Sequence, residues 1–165
     1  MQPSFVHERV VEFADTDMAG IMHFSNYFRF MEVAEHVYFR SLGLSLHVER
    51  DDGRMEGLAR VHAECDYDRP LRYGDRIAVD VYVTSLGEKS IHYGFAFRLL
   101  ERHEKVEAHP PITALGRLSV VAITKSFDKK TLETRPIPDN VRQALTVTPA
   151  QAFESLAFRS GSGGP

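Results

Sequence analysis

Apolar residues recur at Phe24, Tyr27, Phe28, Met31, Ala34, Tyr38 and Leu42, the three-and-four spacing of one long helix. Nowhere else in the 165 residues does that spacing extend so far, and four segments beyond Leu42 read as strands. Residues 58–67 alternate through Ala59, Val61, Ala63 and Cys65, residues 76–86 are rich in Val, Ile and Tyr, residues 91–100 carry Tyr93, Phe95, Phe97 and Leu99 on one face, and residues 113–125 give a further strand, with a hairpin expected at Gly87-Glu88. One early helix followed by strands on short turns predicts an α+β domain, a curved antiparallel sheet wrapped around the helix. A strand is also expected over residues 5–13, where Glu8, Arg9 and Glu12 mark a solvated face.

The helix predicts its own boundaries. Ser25 or Asn26 is expected to cap its start and Gly43 its end. Around it, Arg29, Glu32, His36 and Arg40 form a polar stripe. Glu35 instead falls between Phe28 and Phe39 on the apolar side, where an unpaired carboxylate is costly, so it has a partner or borders a cavity. Residues 44–54 read as a surface connection, residues 101–111 as a polar loop and residues 128–130 as a turn. A short helix is expected after Pro138, residues 1–148 form a single domain, and residues 149–165 form a tail that is flexible at least from 160.

The totals narrow the function. Twenty basic and 23 acidic residues give a net charge of -3, spread along the chain, which argues against nucleic-acid binding. No apolar run approaches the roughly 18 residues of a membrane span, and Glu8, Arg9 and Glu12 interrupt the only candidate for a secretory signal. A lone cysteine, Cys65, suits a cytoplasmic protein and is expected to be a small buried apolar residue. Eight histidines show no metal-binding spacing, so neither a metal nor a cofactor is expected.

Chemistry concentrates before the helix. Asp15 and Asp17 lie two apart and point the same way if the strand continues, and Gly20 permits a sharp turn. A carboxylate there could act as base or nucleophile, while the amides of the first helical turn polarise a carbonyl oxygen. Either aspartate qualifies on this ground.

Three motifs resemble the hotdog-fold acyl-CoA thioesterases, in the branch typified by 4-hydroxybenzoyl-CoA thioesterase and the Tol-Pal-associated thioesterase. They are Asp15-Thr16-Asp17-Met18-Ala19-Gly20 with Asn26-Tyr27 and Glu32, then Tyr67-Asp68-Arg69-Pro70-Leu71-Arg72-Tyr73-Gly74-Asp75, and Arg135-Pro136-Ile137-Pro138. The resemblance implies a hotdog fold and hydrolysis of an acyl-CoA, aliphatic or aromatic. It makes Asp17 the catalytic carboxylate, Asp15 structural, and the backbone amides near His23 and Phe24 the oxyanion donors. Where relatives have Tyr-His or Trp-Tyr, this chain has His23-Phe24; His23 polarises substrate, orients Asp17, or is a turn residue. Gly20, Tyr27, Glu32, Glu35 and Lys89 are expected around the substrate, with Arg72, Lys125, Lys129 and Lys130 as further basic residues for the coenzyme. Glu32 has a second reading as the ion-pair partner of Arg29 or His36. The implied assembly is a homodimer, with a dimer of dimers as the larger form, because exposed sheet edges invite pairing. The rival is a non-catalytic dimer that binds acyl-CoA or an acyl carrier protein. An acyl-chain dehydratase is a second rival, but no histidine precedes a glycine at the helix start.

Overall fold

The long apolar pattern forms helix α1 (Phe24–Ser41). Tyr27, Phe30, Met31, Ala34, Tyr38 and Phe39 are its buried face, each large side chain contributing about 1.5–3 kcal/mol by leaving water. It ends as expected at Gly43, whose φ of +70° lets its N–H reach the Arg40 carbonyl and that of Leu44 the Phe39 carbonyl. Its start differs from expectation: His23, not Ser25 or Asn26, is the capping residue.

A computed structural model describes residues 2–127 and 130–156. Their strands are β1 (Phe5–Val10), β2 (His47–Glu49), β3 (Met55–Tyr67), β4 (Arg76–Leu86), β5 (Ser90–Arg102), β6 (Lys105–Val106), β7 (Ile112–Ser126) and β8 (Thr131–Thr134). They form one antiparallel sheet in the order β1-β4-β5-β7-β3-β2, with β6 added to β5 and β8 to β7. The buried face of α1 shares one core with Val79 and Val81 of β4, Tyr93, Phe95 and Phe97 of β5, and Leu118 of β7. Gly116 in β7 makes this approach close, since a Cβ there would lie 2.3 Å from the Met31 sulfur.

Two departures from the sequence reading bear on the site. First, β3 does not alternate cleanly. The pairing with β7 shifts between Arg60 and His62, so Val61 is an extra residue in a β-bulge and is 63% exposed. The bulge reverses which residues face α1, and Arg60 takes the place that alternation would give Val61. Second, β2 pairs with β3 only over residues 55–57, so residues 58–67 keep a free edge among the described residues.

Smaller differences lie elsewhere. Cys65 is half-buried, not enclosed. The polar segment after residue 101 holds a two-residue hairpin arm, β6. Beyond α2 (Asp139–Ala144), residues expected to begin a tail form α3 (Ala150–Glu154), which seats Phe153 against Tyr82, Ala96 and Leu115 on the outer face of the sheet. The expected turn residues 128–129 and the tail from 160 lie outside the described residues. No described helix is long and apolar enough to cross a membrane.

Candidate active site

The two aspartates separate at once. The strand stops at Val10 and residues 13–15 form a 3-10 turn, so Asp15 and Asp17 do not share a strand face. The Asp15 carboxylate accepts the Glu12 N–H at 2.9 Å, and its carbonyl accepts the His23 N–H at 2.9 Å and the Asn26 side-chain amide at 2.8 Å. Asp15 therefore ties the chain before the turn to the helix after it. Asp17 occupies the turn. Its N–H bonds the Ile21 carbonyl, its carbonyl accepts from Gly20, and Gly20 adopts a φ of +73° that closes the loop. Its Oδ1 accepts the Ala19 N–H at 2.8 Å, while Oδ2 has no hydrogen bond among the described residues and the residue is exposed.

The turn rests on the second motif. Met22 donates to the Leu71 carbonyl at 2.7 Å, and Ile21 bridges Arg72. That segment is held by Asp75, which is buried and accepts the Arg72 N–H at 2.7 Å and a two-pronged ion pair from Arg102 at 2.6 and 2.8 Å. Arg102 also donates to the Pro70 carbonyl at 2.9 Å. Sequence reasoning missed Arg102 because its segment reads as polar loop.

At the helix start, the His23 Nδ1 accepts the Ser25 N–H at 3.3 Å and lies 2.8 Å from the Ser25 hydroxyl. An accepting Nδ1 puts the proton of the neutral ring on Nε2. The Phe24 N–H, also in the first turn, makes no hydrogen bond among the described residues. Phe24 is exposed, its carbonyl accepts the Tyr67 hydroxyl at 3.2 Å, and Phe13 meets Tyr73 edge-on nearby, so the turn has an aromatic rim. Tyr27 is buried beneath the rim, edge-on to Tyr67 and Phe97, and burial pushes its hydroxyl up to about 12. Burial likewise pushes the Cys65 thiol up to about 12, which keeps it protonated and a poor nucleophile.

Further along α1 the expectation for Glu35 is met by a partner. Its carboxylate is 1% exposed, and the Arg60 guanidinium donates to Oε2 at 2.5 Å. The same guanidinium lies 3.5 Å from Glu32, so Glu32 pairs with Arg60 and not with Arg29 or His36. Burial pushes the Glu35 carboxyl up to about 7 against the pull of Arg60. The Tyr93 hydroxyl is near enough to favour the charged form as well, yet neither it nor Glu35 Oε1 has a well-formed hydrogen bond.

The structure thus brings together Asp17, Gly20, His23 and Phe24 around one turn, and Glu32 with Glu35 farther along the helix. Lys89 stands apart. It bonds Thr134 at 3.5 Å beside Ser90, which pairs with Val121, whereas the rim residue Tyr67 pairs with Ala114, seven residues or about 23 Å along β7. Of the other basic residues, Arg72 belongs to the segment beneath the turn, Lys125 lies over the Phe127 ring, and Lys129 is outside the described residues. No three metal-binding side chains converge among the described residues.

Comparison with known proteins gives the family. Residues 11–145 match the model of the thioesterase-like superfamily. The chain belongs to that superfamily. It is 28% identical over 141 residues to the 1,4-dihydroxy-2-naphthoyl-CoA hydrolase of Synechococcus elongatus, covering 86% of this chain and 94% of that one. It superposes on a gentisyl-coenzyme A thioesterase with a TM-score of 0.63 at 26% identity, over 85% and 98% of the two chains. The 4-hydroxybenzoyl-CoA thioesterase of Pseudomonas sp. strain CBS-3 gives a TM-score of 0.70 over 86% and 98%, and at 17% identity that likeness concerns the fold alone.

Proposed function

We propose that this superfamily member hydrolyses the thioester of an acyl-CoA to the free acid and coenzyme A, within a hotdog domain whose sheet curls around α1. The observation that carries the reading is an exposed carboxylate, Asp17, in a turn tied to a helix start, with its Oδ2 and the Phe24 N–H both without a partner among the described residues. Attack on a thioester carbonyl places negative charge on its oxygen. The Phe24 amide and the positive helix end offer that charge a donor that needs no rearrangement. Asp17 serves either as the base that takes a proton from the attacking water or as the nucleophile, giving a mixed anhydride that water then opens. Both routes consume one water and release the thiol. The reading needs no cofactor beyond the coenzyme A of the substrate.

His23 spends Nδ1 on capping the helix, so its contribution to substrate is the Nε2–H, a donor. The homodimer belongs to the same reading. Residues 58–67 of β3 offer an unpaired edge beside the rim, and a second copy pairing there would cover Phe24 and Tyr67. Lys89, remote from Asp17 of its own chain, then meets the coenzyme A phosphates at the partner's site.

A thiol-release assay over short, long and aromatic acyl-CoAs tests the reaction, and light scattering at micromolar concentration tests the dimer. Measurable binding without hydrolysis across the panel would replace this reading with the non-catalytic binding dimer.

A further inference from the structure

A separate cavity lies toward the far end of α1. Phe39 is fifteen residues beyond Phe24, about 22 Å along the helix axis. There Phe39, Leu46, Leu58, Ala122, Ile137 and Val141 wall a cavity of about 390 Å³, its mouth included. That size falls within the roughly 300–1,000 Å³ of small-molecule sites. The polar side chains of its lining are Ser45, Glu56 and Arg135. Arg135 also borders an adjoining polar pocket with Thr124, Ser126, Thr131 and Glu133, so its guanidinium stands between an apolar space and an open polar one. This wall is fixed by backbone bonds: Arg135 donates to the Ala122 carbonyl at 2.9 Å and Ile137 to the Glu88 carbonyl at 2.8 Å.

We propose that this corner is a second binding site, one that takes a short-chain carboxylate with its chain in the cavity and its carboxylate on Arg135. The charge balance selects the head group. Glu56 Oε2 accepts from Arg50 at 2.5 Å and also pairs with Arg135, so two guanidiniums share one carboxylate oxygen. The Arg50 hydrogen bond, with help from Arg135, holds the Glu56 carboxyl below the ordinary range, so it stays ionised. The other acids of this corner act elsewhere: Asp52 pairs with Arg54 at 2.7 Å, and Glu133 also acts on Arg54. A ligand carboxylate gives the second guanidinium the anion it lacks, through the two-pronged contact that both groups favour. The apolar walls select the rest. They offer water no hydrogen-bond partner, so an alkyl chain displaces nothing that was well held. A neutral alcohol gains the cavity without the ion pair, and an amine meets two guanidiniums. The free acid released by the proposed hydrolysis is of this class, but the site stands on its own residues and needs nothing of the Asp17 turn.

Hexanoate is the probe, titrated into the whole protein and followed by methyl NMR and calorimetry. Saturable shifts are expected at Leu46, Ile137 and Val141, with Ile21 and Met22 of the Asp17 turn unmoved, and a Kd of about 1 mM or below. Hexanol should bind about tenfold more weakly, and so should hexanoate to Arg135→Gln, as expected for the loss of a charge-assisted hydrogen bond. That variant leaves Glu56 its pair with Arg50, so no carboxylate is stranded. Ala122→Val narrows the cavity without touching the ion pair and should weaken hexanoate as well. Shifts at Ile21 and Met22 in place of Leu46, Ile137 and Val141 would put the acid at the turn and overturn the inference. Equal affinity for hexanol and hexanoate, or no binding up to about 10 mM, overturns it too. None of these measurements uses turnover. Hexanoate bound here by a protein that hydrolyses no acyl-CoA would refute the proposed reaction alone, and an active hydrolase with no shift at Ile137 would refute the second site alone.

Discussion

The Asp17 turn lies before the start of α1 and the Arg60 cluster beside its middle, and the two are built by opposite means. The turn is a local object: Asp17 bonds Ala19, Gly20 and Ile21, and Asp15 bonds Glu12, His23 and Asn26. It leaves its carboxylate open to solvent. The Arg60 cluster joins β3 to α1 across 25 residues of chain and buries its central carboxylate completely. The first region can therefore lose its side chain with little harm to the fold, and the second cannot. If Asp17 carries the chemistry proposed for it, a substitution in either region is expected to move activity or stability and spare the other.

The largest effect is expected from Asp17→Asn. An amide keeps the oxygen that accepts from Ala19 but is neither base nor nucleophile, so kcat should fall between about a hundredfold and ten-thousandfold. Unfolding in urea should change by no more than about 0.5 kcal/mol, because the side chain is exposed. Near wild-type turnover would remove Asp17 from the reaction. In the other region, Arg60→Ala leaves the Glu35 carboxylate without its partner, and the expected loss is about 3–5 kcal/mol of stability by urea unfolding near pH 8. A loss below about 1 kcal/mol would mean that the pair does not hold α1 to β3.

The same contrast explains which features are legible in the sequence. The turn is legible because each of its parts is a local preference: Gly20 for a left-handed turn residue, small polar residues around a helix start, an apolar period for α1. Even so, the cap falls on His23, a residue whose ring nitrogen does what a shorter oxygen usually does. Glu35 is legible as a problem, a carboxylate on an apolar face, but its solution is not. Alternation along β3 puts Val61 inward. Only the pairing with β7 fixes the bulge that exchanges it for Arg60, and register against a distant strand is not written in a local pattern. Asp75 and Arg102 are hidden in the same way, an ion pair between two segments 27 residues apart. The free edge of β3 depends on how short β2 is, a length that residues 44–54 do not announce.

Between the two ends in size of effect lies a pH dependence. The Glu35 carboxyl titrates near 7 in the folded protein and near 4.5 when exposed, so the native state keeps a proton that the unfolded chain releases between those values. Arg60, Glu32 and Tyr93 are the groups that act on it, from β3, α1 and β5. Its contribution is most favourable below about pH 4.5 and declines as pH rises to 7, by about 3 kcal/mol in full. Glu35→Gln carries no titrating group, so the stability difference between wild type and variant should drift in that direction and by that order from pH 5 to pH 8. A difference independent of pH would show that the carboxyl ionises in the fold as easily as in water. The cost of Arg60→Ala should be smaller at pH 5 than at pH 8, since a protonated Glu35 needs its partner less.

The smallest effect belongs to His23, and it tests how far the turn end is really independent of its side chains. His23 Nδ1 satisfies the Ser25 N–H, one of the amides that a helix start leaves unpaired. His23→Ala should then cost about 1 kcal/mol of stability, and His23→Asn should restore most of it, because asparagine is a strong capping residue. Activity need not follow stability. Asparagine supplies an acceptor for Ser25 but lacks the imidazole Nε2–H proposed to meet the substrate, so a variant with recovered stability and reduced kcat assigns His23 both tasks. Recovery of both stability and kcat would make the cap its whole role, and the Phe24 amide would then be the only donor required of the helix start.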